Sequence, residues 1–272
     1  MLGDRRMIFK EADNGVIFLT SDFFPDDTVK FGFSTRFGGV SRPPFKSLNL
    51  GFGVADDYQN VVENRYKFVH ALGGNPRKVV SGEQVHGNTV SEIKTQGSNE
   101  ILEGLTPGLK QTDGLVTTVS QIPLIGGFAD CVPIFLYETD IPLVGIVHAG
   151  WRGSLNGIAI EALKTISMVG GKPENVKVLL GPSIGPCCYR VGEEVYNKAC
   201  NFTYREQVFA RSNPGYHLDL KRLNEIQFIE NGVLENNILT SEMCTCCDND
   251  LFFSYRKDQH NTGRMMGLIY LR

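Results

Sequence analysis

The sequence predicts an α/β fold of the mixed α+β kind, one domain over residues 1–272 with helices packed on a mixed β-sheet. Three observations carry this. Strand candidates outnumber helix candidates, and many are adjacent along the chain, unlike a regular βαβ repeat. The central runs DGLVTTV, IPLIGGF, CVPIFLYE and IPLVGIVH are apolar on nearly every residue, as strands covered on both faces are. No Pro/Ser-rich linker, repeat or charge run divides the 272 residues, of which 42% are hydrophobic and 21% charged.

The elements follow in order. MIFKE, GVIFLT and VKFGFST read as strands separated by turn residues. A helix is expected over 56–72, capped by Asp56 or Asp57, with Tyr58, Val61, Val62, Val69 and Leu72 on one stripe and Gly73-Gly74 as its stop. KVVSGEQVHG and NTVSEIK are strand candidates on either side of His86, and the Gly-rich stretch 97–112 reads as an exposed loop. After the central strands comes a helix capped by Ser154, with Leu155, Ile158, Ala162, Leu163 and Ile166 facing inward. VKVLLG is a strand, GPSIGPCCY a tight loop, GEEVYNKAC a short helix, and a further helix starts near Asp219 before the closing strand MMGLIYLR.

The formal net charge of −3 argues against a general nucleic-acid binder. The charged start MLGDRRMIFKEADNG lacks the apolar run of a signal peptide, and no stretch reaches the ~18 apolar residues of a membrane span. A cytoplasmic protein with no membrane or nucleic-acid partner is expected. Seven cysteines, an odd number, then read as reduced thiols, which puts metal binding and catalysis ahead of disulfides. Cys244 and Cys247 have C-x-x-C spacing, but one such pair without a partner pair is a weak sign of a separate metal site.

Three segments could carry chemistry. EQVHG places His86 after a strand, ADCVP places Cys131 before one, and IVHAGWRG places His148 after one. Cys131 and His148 lie 17 residues apart (148 − 131), which fits a hairpin bringing both to one sheet edge, where ligand crevices form. Two imidazoles and a thiolate suit Zn²⁺ and leave a fourth position open, as in catalytic zinc sites. Copper accepts the same donors.

Longer segments appear in a fixed order: STRFGGVS (34–41), SLNLGFGVADD (47–57), NRYKF (64–68), QVHGNTV (84–90), TDGLVT (112–117), ADCVP (129–133), HAGWRG (148–153), GPSIGPCCYRVGEEV (181–195), DLFFSYRKD (250–258) and TGRM (262–265). From about residue 30 onward the chain resembles the laccase-domain, YfiH-like family of zinc-dependent purine nucleoside phosphorylases, earlier labelled multicopper polyphenol oxidoreductases. The resemblance implies a single laccase-domain-like catalytic domain with the YfiH-like, CNF-toxin-like α/β/α sandwich around a mixed sheet. It implies His86, Cys131 and His148 as zinc ligands that act through the metal. It also implies phosphorolysis of adenosine, inosine and guanosine, with methylthioadenosine as a further candidate, and accompanying adenosine deamination. The partners expected are purine nucleosides and phosphate, and the chain is expected to be a monomer or a homodimer. FGVADD departs from the family's more usual His-containing, glycine-rich form.

Phosphate needs arginines or backbone N–H donors. Arg36 and Arg152 are the candidates, with Arg256 and Arg264 behind them, and Asn49 is a candidate to bond the nucleoside. Trp151 is expected to pack on the sheet in preference to stacking on a purine. Deamination needs a carboxylate to carry protons, and Asp130 and Glu83 lie nearest the ligands in sequence. Three rivals use the same residues differently. A cysteine hydrolase would use Cys131 as nucleophile and His148 as base, leaving His86 superfluous. A copper-dependent polyphenol oxidase needs many imidazoles, and the chain has five: His70, His86, His148, His217 and His260. A purine-binding module without catalysis needs no open metal site.

Overall fold

The computed structural model describes residues 7–272. The strands are β1 (Ile8–Glu11), β2 (Ile17–Thr20), β3 (Val29–Ser34), β4 (Val80–Ser81), β5 (Val90–Glu92), β6 (Gly114–Thr117) and β7 (Leu124–Phe128). They continue as β8 (Val132–Glu138), β9 (Leu143–Ala149), β10 (Val176–Leu180), β11 (Arg190–Val191), β12 (Phe209–Arg211), β13 (Tyr216–Leu218), β14 (Ile238–Thr240) and β15 (Met265–Leu271). The helices are α1 (Tyr58–Ala71), α2 (Asn99–Glu103), α3 (Trp151–Leu155), α4 (Ile158–Met168), α5 (Glu193–Lys198), α6 (Arg205–Val208) and α7 (Leu220–Glu230).

The mixed α/β class holds, and the strands divide between sheets. One six-stranded sheet runs β1-β2-β3-β15-β7-β4, a second runs β14-β10-β8-β9-β6-β5, and a small antiparallel sheet runs β11-β13-β12. The two large sheets are antiparallel inside and acquire a parallel partner at an edge: β4 on β7, and β5 on β6 with β14 on β10. Phe31, Phe33 and Phe128 of the first sheet meet Phe135, Val144 and Ile146 of the second in a dry layer between them. The Phe31 and Phe135 rings lie 5.3 Å apart in a tilted pair and Phe33 and Phe128 5.8 Å apart edge to face, each pair worth about 0.5–1.5 kcal/mol beyond its burial. Outside the second sheet, Ala162, Leu163 and Ile166 of α4 and Leu223 of α7 cover Ile134, Val147 and Val178. Outside the first, Phe68 and Val69 of α1 cover Phe18, Ile125 and Leu268. Helices therefore flank a doubled sheet, which explains why β8 and β9 are buried at every residue.

Asp57 caps α1, its carboxylate accepting from the N–H groups of Gln59 and Asn60. The expected exposed loop 97–112 contains α2, whose Leu102 is fully buried in the core under α1. The helix after β9 starts at Trp151, capped by Gly150, so Ser154 is not its cap. Ser154 is buried within it and its hydroxyl accepts from the Asn224 side-chain amide at 2.9 Å. Gly157, at φ 76°, then breaks the helix in two, and α4 begins beyond it. No helix among the described residues is long and apolar enough to cross a membrane.

Candidate metal centre and cleft

The period-2 alternation of β8 and β9 decides which way the donors point. Val144 and Ile146 of β9 face the layer between the sheets, while Leu143, Val147 and Ala149 face α4 and α7. His148 shares the face of Val144 and Ile146 and packs 5.6 Å from the Phe128 ring. Cys131 just precedes β8 and shares the face of Phe135 and Tyr137. The antiparallel register pairs Pro133 with His148 and Val132 with Ala149, so Cys131 and His148 are diagonal neighbours on one face. Gly150 stands opposite Cys131. A Cβ at that position would lie 2.9 Å from the His86 ring and 3.0 Å from the Cys131 sulfur, so only hydrogen fits between the donors. Gly150→Ala is expected to leave the fold intact and weaken metal affinity by roughly 10-fold or more, the scale of a disturbed ligand orientation; competition with a chromogenic chelator measures it.

His86 reaches the same point from an irregular segment. The expected strand KVVSGEQVHG shrinks to the two residues of β4, because the chain leaves the sheet at Gly82 and the Gln84 side chain takes over the pairing. The Gln84 amide donates to the Gly127 carbonyl at 3.0 Å and accepts from the Gly127 N–H at 2.8 Å. His86 itself sits at φ 61°, an uncommon left-handed conformation for a side chain of its kind. Asp113 holds it there. The Asp113 carboxylate accepts from the backbone N–H groups of Val85, His86 and Gly87 at 3.1, 3.0 and 2.8 Å. The same carboxylate meets Nδ1 of His148 at 2.9 Å, which leaves Nε2 as the free ring nitrogen.

The donor atoms of His86, Cys131 and His148 all lie within 4.8 Å of one another. Zinc–ligand distances of 2.0–2.3 Å put the donors of a tetrahedral site about 3.3–3.8 Å apart, so a small contraction closes the triad on one ion. The electrostatics favour a thiolate at Cys131 and a protonated ring at His148, whose proton a metal ion would displace. Burial pushes the Cys131 thiol up, but the adjacent His148 and His86 rings outweigh it and bring it down to about 6. Burial pushes His148 down, yet Cys131 and Asp113 lift it to about 9. The thiolate form that a metal requires is thus favoured in place. The donor set, the Asp113 carboxylate on His148 Nδ1 and the missing Cβ at Gly150 all fit zinc.

The triad opens into a cleft of about 820 Å³, within the usual size of a small-molecule site. Arg152, Arg256, Arg264 and Arg65 line it together with Trp151, Tyr189, Tyr255 and His260. The Arg152 guanidinium lies over the Trp151 ring at 4.4 Å and is exposed to solvent. Trp151 is half-buried, with one side on the core and the other on the cleft. Arg264 donates to the carbonyls of Thr262 and Gly263, and Arg256 to that of Arg190. Arg65 donates to the carbonyls of Leu50, Ile101 and Leu102 and lies 4.3 Å from the Phe52 ring; burial lowers its pKa to about 10.

Two sequence candidates stand elsewhere. Arg36 does not line the cleft: it donates to the carbonyls of Lys46 and Asn249 and stacks on Phe253 at 4.6 Å. Asn49 is fully buried, also outside the lining. Its amide donates to Asp56, and its carbonyl oxygen accepts from the Gly51 and Arg264 N–H groups, so it shapes the wall that carries Arg264. Of the carboxylates, Glu83 is exposed and outside the cleft. Asp130 borders it at φ 86°, but its oxygens accept from the hydroxyls of Thr245 and Ser254 and the N–H of Arg256. It ties three loop positions together, with two bonds on Oδ1 and one on Oδ2. Sequence reasoning missed Asp113 and Arg65. A signal existed for Arg65, which lies on the inward stripe of α1 one turn from both Val61 and Val69. Asp113 stood only in a strand-starting TDG, with nothing to name its partner.

Fold and site together define a potential three-donor metal site on a doubled α/β sheet. Residues 30–272 match the family described as multi-copper polyphenol oxidoreductase laccase. The chain is 37% identical over 244 residues to purine nucleoside phosphorylase YlmD of Geobacillus stearothermophilus, covering 88% of each chain. It is 36% identical over 239 residues to purine nucleoside phosphorylase YfiH of Escherichia coli, covering 88% of this chain and 92% of that one. The crystal structure of YlmD from Geobacillus stearothermophilus superposes with a TM-score of 0.89 at 34% identity, over 98% of this chain and 99% of that one. The chain belongs to the laccase-like multi-copper polyphenol oxidoreductase family, alongside relatives that carry the name purine nucleoside phosphorylase.

Proposed function

We propose that the protein is a zinc-dependent purine nucleoside phosphorylase, converting a purine nucleoside and phosphate to free base and ribose 1-phosphate, with adenosine deamination at the same centre. The observation that carries this reading is an open His86–Cys131–His148 triad facing a cleft walled by four arginines. Zinc bound there supplies a Lewis acid for an oxygen that gains charge during reaction. A phosphate oxygen attacks ribose C1′, the C1′–N9 bond breaks, and the base leaves with the electron pair and takes up a proton. Arg152, Arg256 and Arg264, which line the cleft as Arg36 does not, are the groups that hold phosphate in this reading. Trp151, Tyr189 and Tyr255 offer ring faces to the base. Asp113 fixes the His148 ring and the 85–87 backbone.

A multicopper oxidase is disfavoured by the imidazole count at the centre. His70 stacks on Tyr66, His217 bonds to Pro186, and His260 stacks on Tyr255, leaving two histidines in the triad. Phosphate-dependent release of hypoxanthine from inosine by the zinc-loaded protein tests the proposal. Release that is independent of phosphate, or absent with zinc bound, overturns it. Arg152→Ala is expected to raise KM for phosphate by about 10–100-fold, the size of one lost charge-assisted hydrogen bond of ~1.5–3 kcal/mol. An unchanged KM for phosphate removes Arg152 from this role. Ammonia release from adenosine checks the deaminase activity separately.

A further inference from the structure

Four of the seven cysteines meet outside the cleft lining, and the proposed phosphorolysis uses none of them. β10 and β14 are parallel neighbours, with Leu180 paired to Thr240, so the loops leaving their ends run side by side. Ser183 and Cys244 continue the pairing as an isolated bridge. The first loop turns after Pro186, with the Cys188 and Tyr189 N–H groups both donating to the Gly185 carbonyl, and presents Cys187 and Cys188. The second presents Cys244 and Cys247. All four sulfurs lie within 4.8 Å of one another, with Cys247 at 3.5 Å from Cys187 and 3.4 Å from Cys188.

We propose that Cys187, Cys188, Cys244 and Cys247 bind a second zinc ion as a closed, structural tetrathiolate site. Four sulfurs at the ~2.3 Å zinc–sulfur distance stand about 3.8 Å apart, between the shortest separations and the outer limit seen here. An iron–sulfur cubane fits less well, since each thiolate would bind a different iron and stand farther from the others. Soft thiolate donors in a set of four select zinc over magnesium or calcium. The surroundings suit negative charge: the Gly185 N–H donates to the Cys244 sulfur at 3.1 Å, and the Lys221 ammonium is held close by, on the carbonyls of Ser241 and Met243. With four protein ligands the site has no open position, so its role is to clamp.

What it clamps reaches the first centre. The first loop bonds to Asp130 through the Ile184 N–H, and the second through Thr245. Asp130 adjoins Cys131. The same loops lead to Tyr189 and Arg256 in the cleft wall, and Arg256 reaches back to the Arg190 carbonyl.

The test is zinc content per chain after reconstitution under reducing, oxygen-free conditions. Wild-type protein is expected to hold two zinc ions, and Cys244→Ser/Cys247→Ser one. In full-length His148→Ala the remaining zinc is expected to show an X-ray absorption first shell of sulfur alone at about 2.3 Å, a readout that stands even if the double variant does not fold. One zinc in wild-type, none in His148→Ala, or a nitrogen-containing shell in that variant overturns the proposal. So does a Cys187–Cys247 or Cys188–Cys247 disulfide, seen as five titratable thiols in place of seven in the denatured, metal-stripped protein. Two zinc ions without phosphorolysis would sink the nucleoside reading and leave this site standing.

Discussion

His86→Ala is expected to release the catalytic metal and lower phosphorolysis by on the order of 10³-fold, several kcal/mol of transition-state stabilisation. The residue suits the purpose because its side chain is exposed and its loop is held by backbone N–H groups, which alanine retains. Its one structural demand, φ 61°, is a strained conformation for alanine as well, so circular dichroism must accompany the assay. The result separates two chemistries. A cysteine hydrolase built on Cys131 and His148 has no use for His86, so full activity without metal in this variant would establish that rival. Loss of metal and activity together, with Cys131→Ser behaving alike, is the outcome for a metal enzyme.

Asp113→Ala carries the second large effect, and acts on stability and metal together. Four donors lose their acceptor: three backbone N–H groups and the His148 ring. Burial alone pushes the Asp113 carboxyl up, and its bonds to His148 and the backbone bring it below the ordinary range, so the group removed is a carboxylate. Stranding such donors costs about 1–3 kcal/mol each at most, and a total near 3 kcal/mol is a fair expectation with relaxation. That lowers Tm by about 6–12 °C for a chain of this size. Metal affinity is expected to fall about 10–100-fold, the usual effect of losing the carboxylate behind a histidine ligand. Asp113→Asn keeps one acceptor oxygen and should recover part of the stability while leaving affinity low. A metal affinity equal to wild-type in both variants would show that Asp113 supports the loop and nothing more.

The parts of this architecture written in local pattern were readable from the chain. The fully apolar runs announced β8 and β9, and their hairpin spacing brought Cys131 and His148 to one edge. His86 joined them as a third donor at a strand end, but how it is held was hidden, because its position depends on a carboxylate 27 residues away and no periodicity encodes that contact. The division into two sheets was hidden for a similar reason: an all-apolar strand says that both faces are covered, not whether by helix or sheet. The place of Arg36 outside the cleft lining was not legible, because an arginine before a glycine pair looks the same whether it holds an anion or two carbonyls. The cysteines show the reverse case. C-x-x-C at 244–247 found its partner in an adjacent pair nearly sixty residues earlier, supplied by the parallel pairing of β10 and β14.

The placement of β15 has a consequence for how the protein is made. This strand lies between β3 and β7, near the middle of the first sheet, and is formed by residues 265–271. Until those residues leave the ribosome, β3 and β7 have no neighbour on one side, and their open edges invite pairing with other chains. The second sheet, whose β8–β9 hairpin carries two of the three metal donors, has all its strands by residue 240. A nascent chain therefore carries His86, Cys131 and His148 well before it can shut the layer behind them. Chaperone cover during that interval follows from the order in which the strands are synthesised.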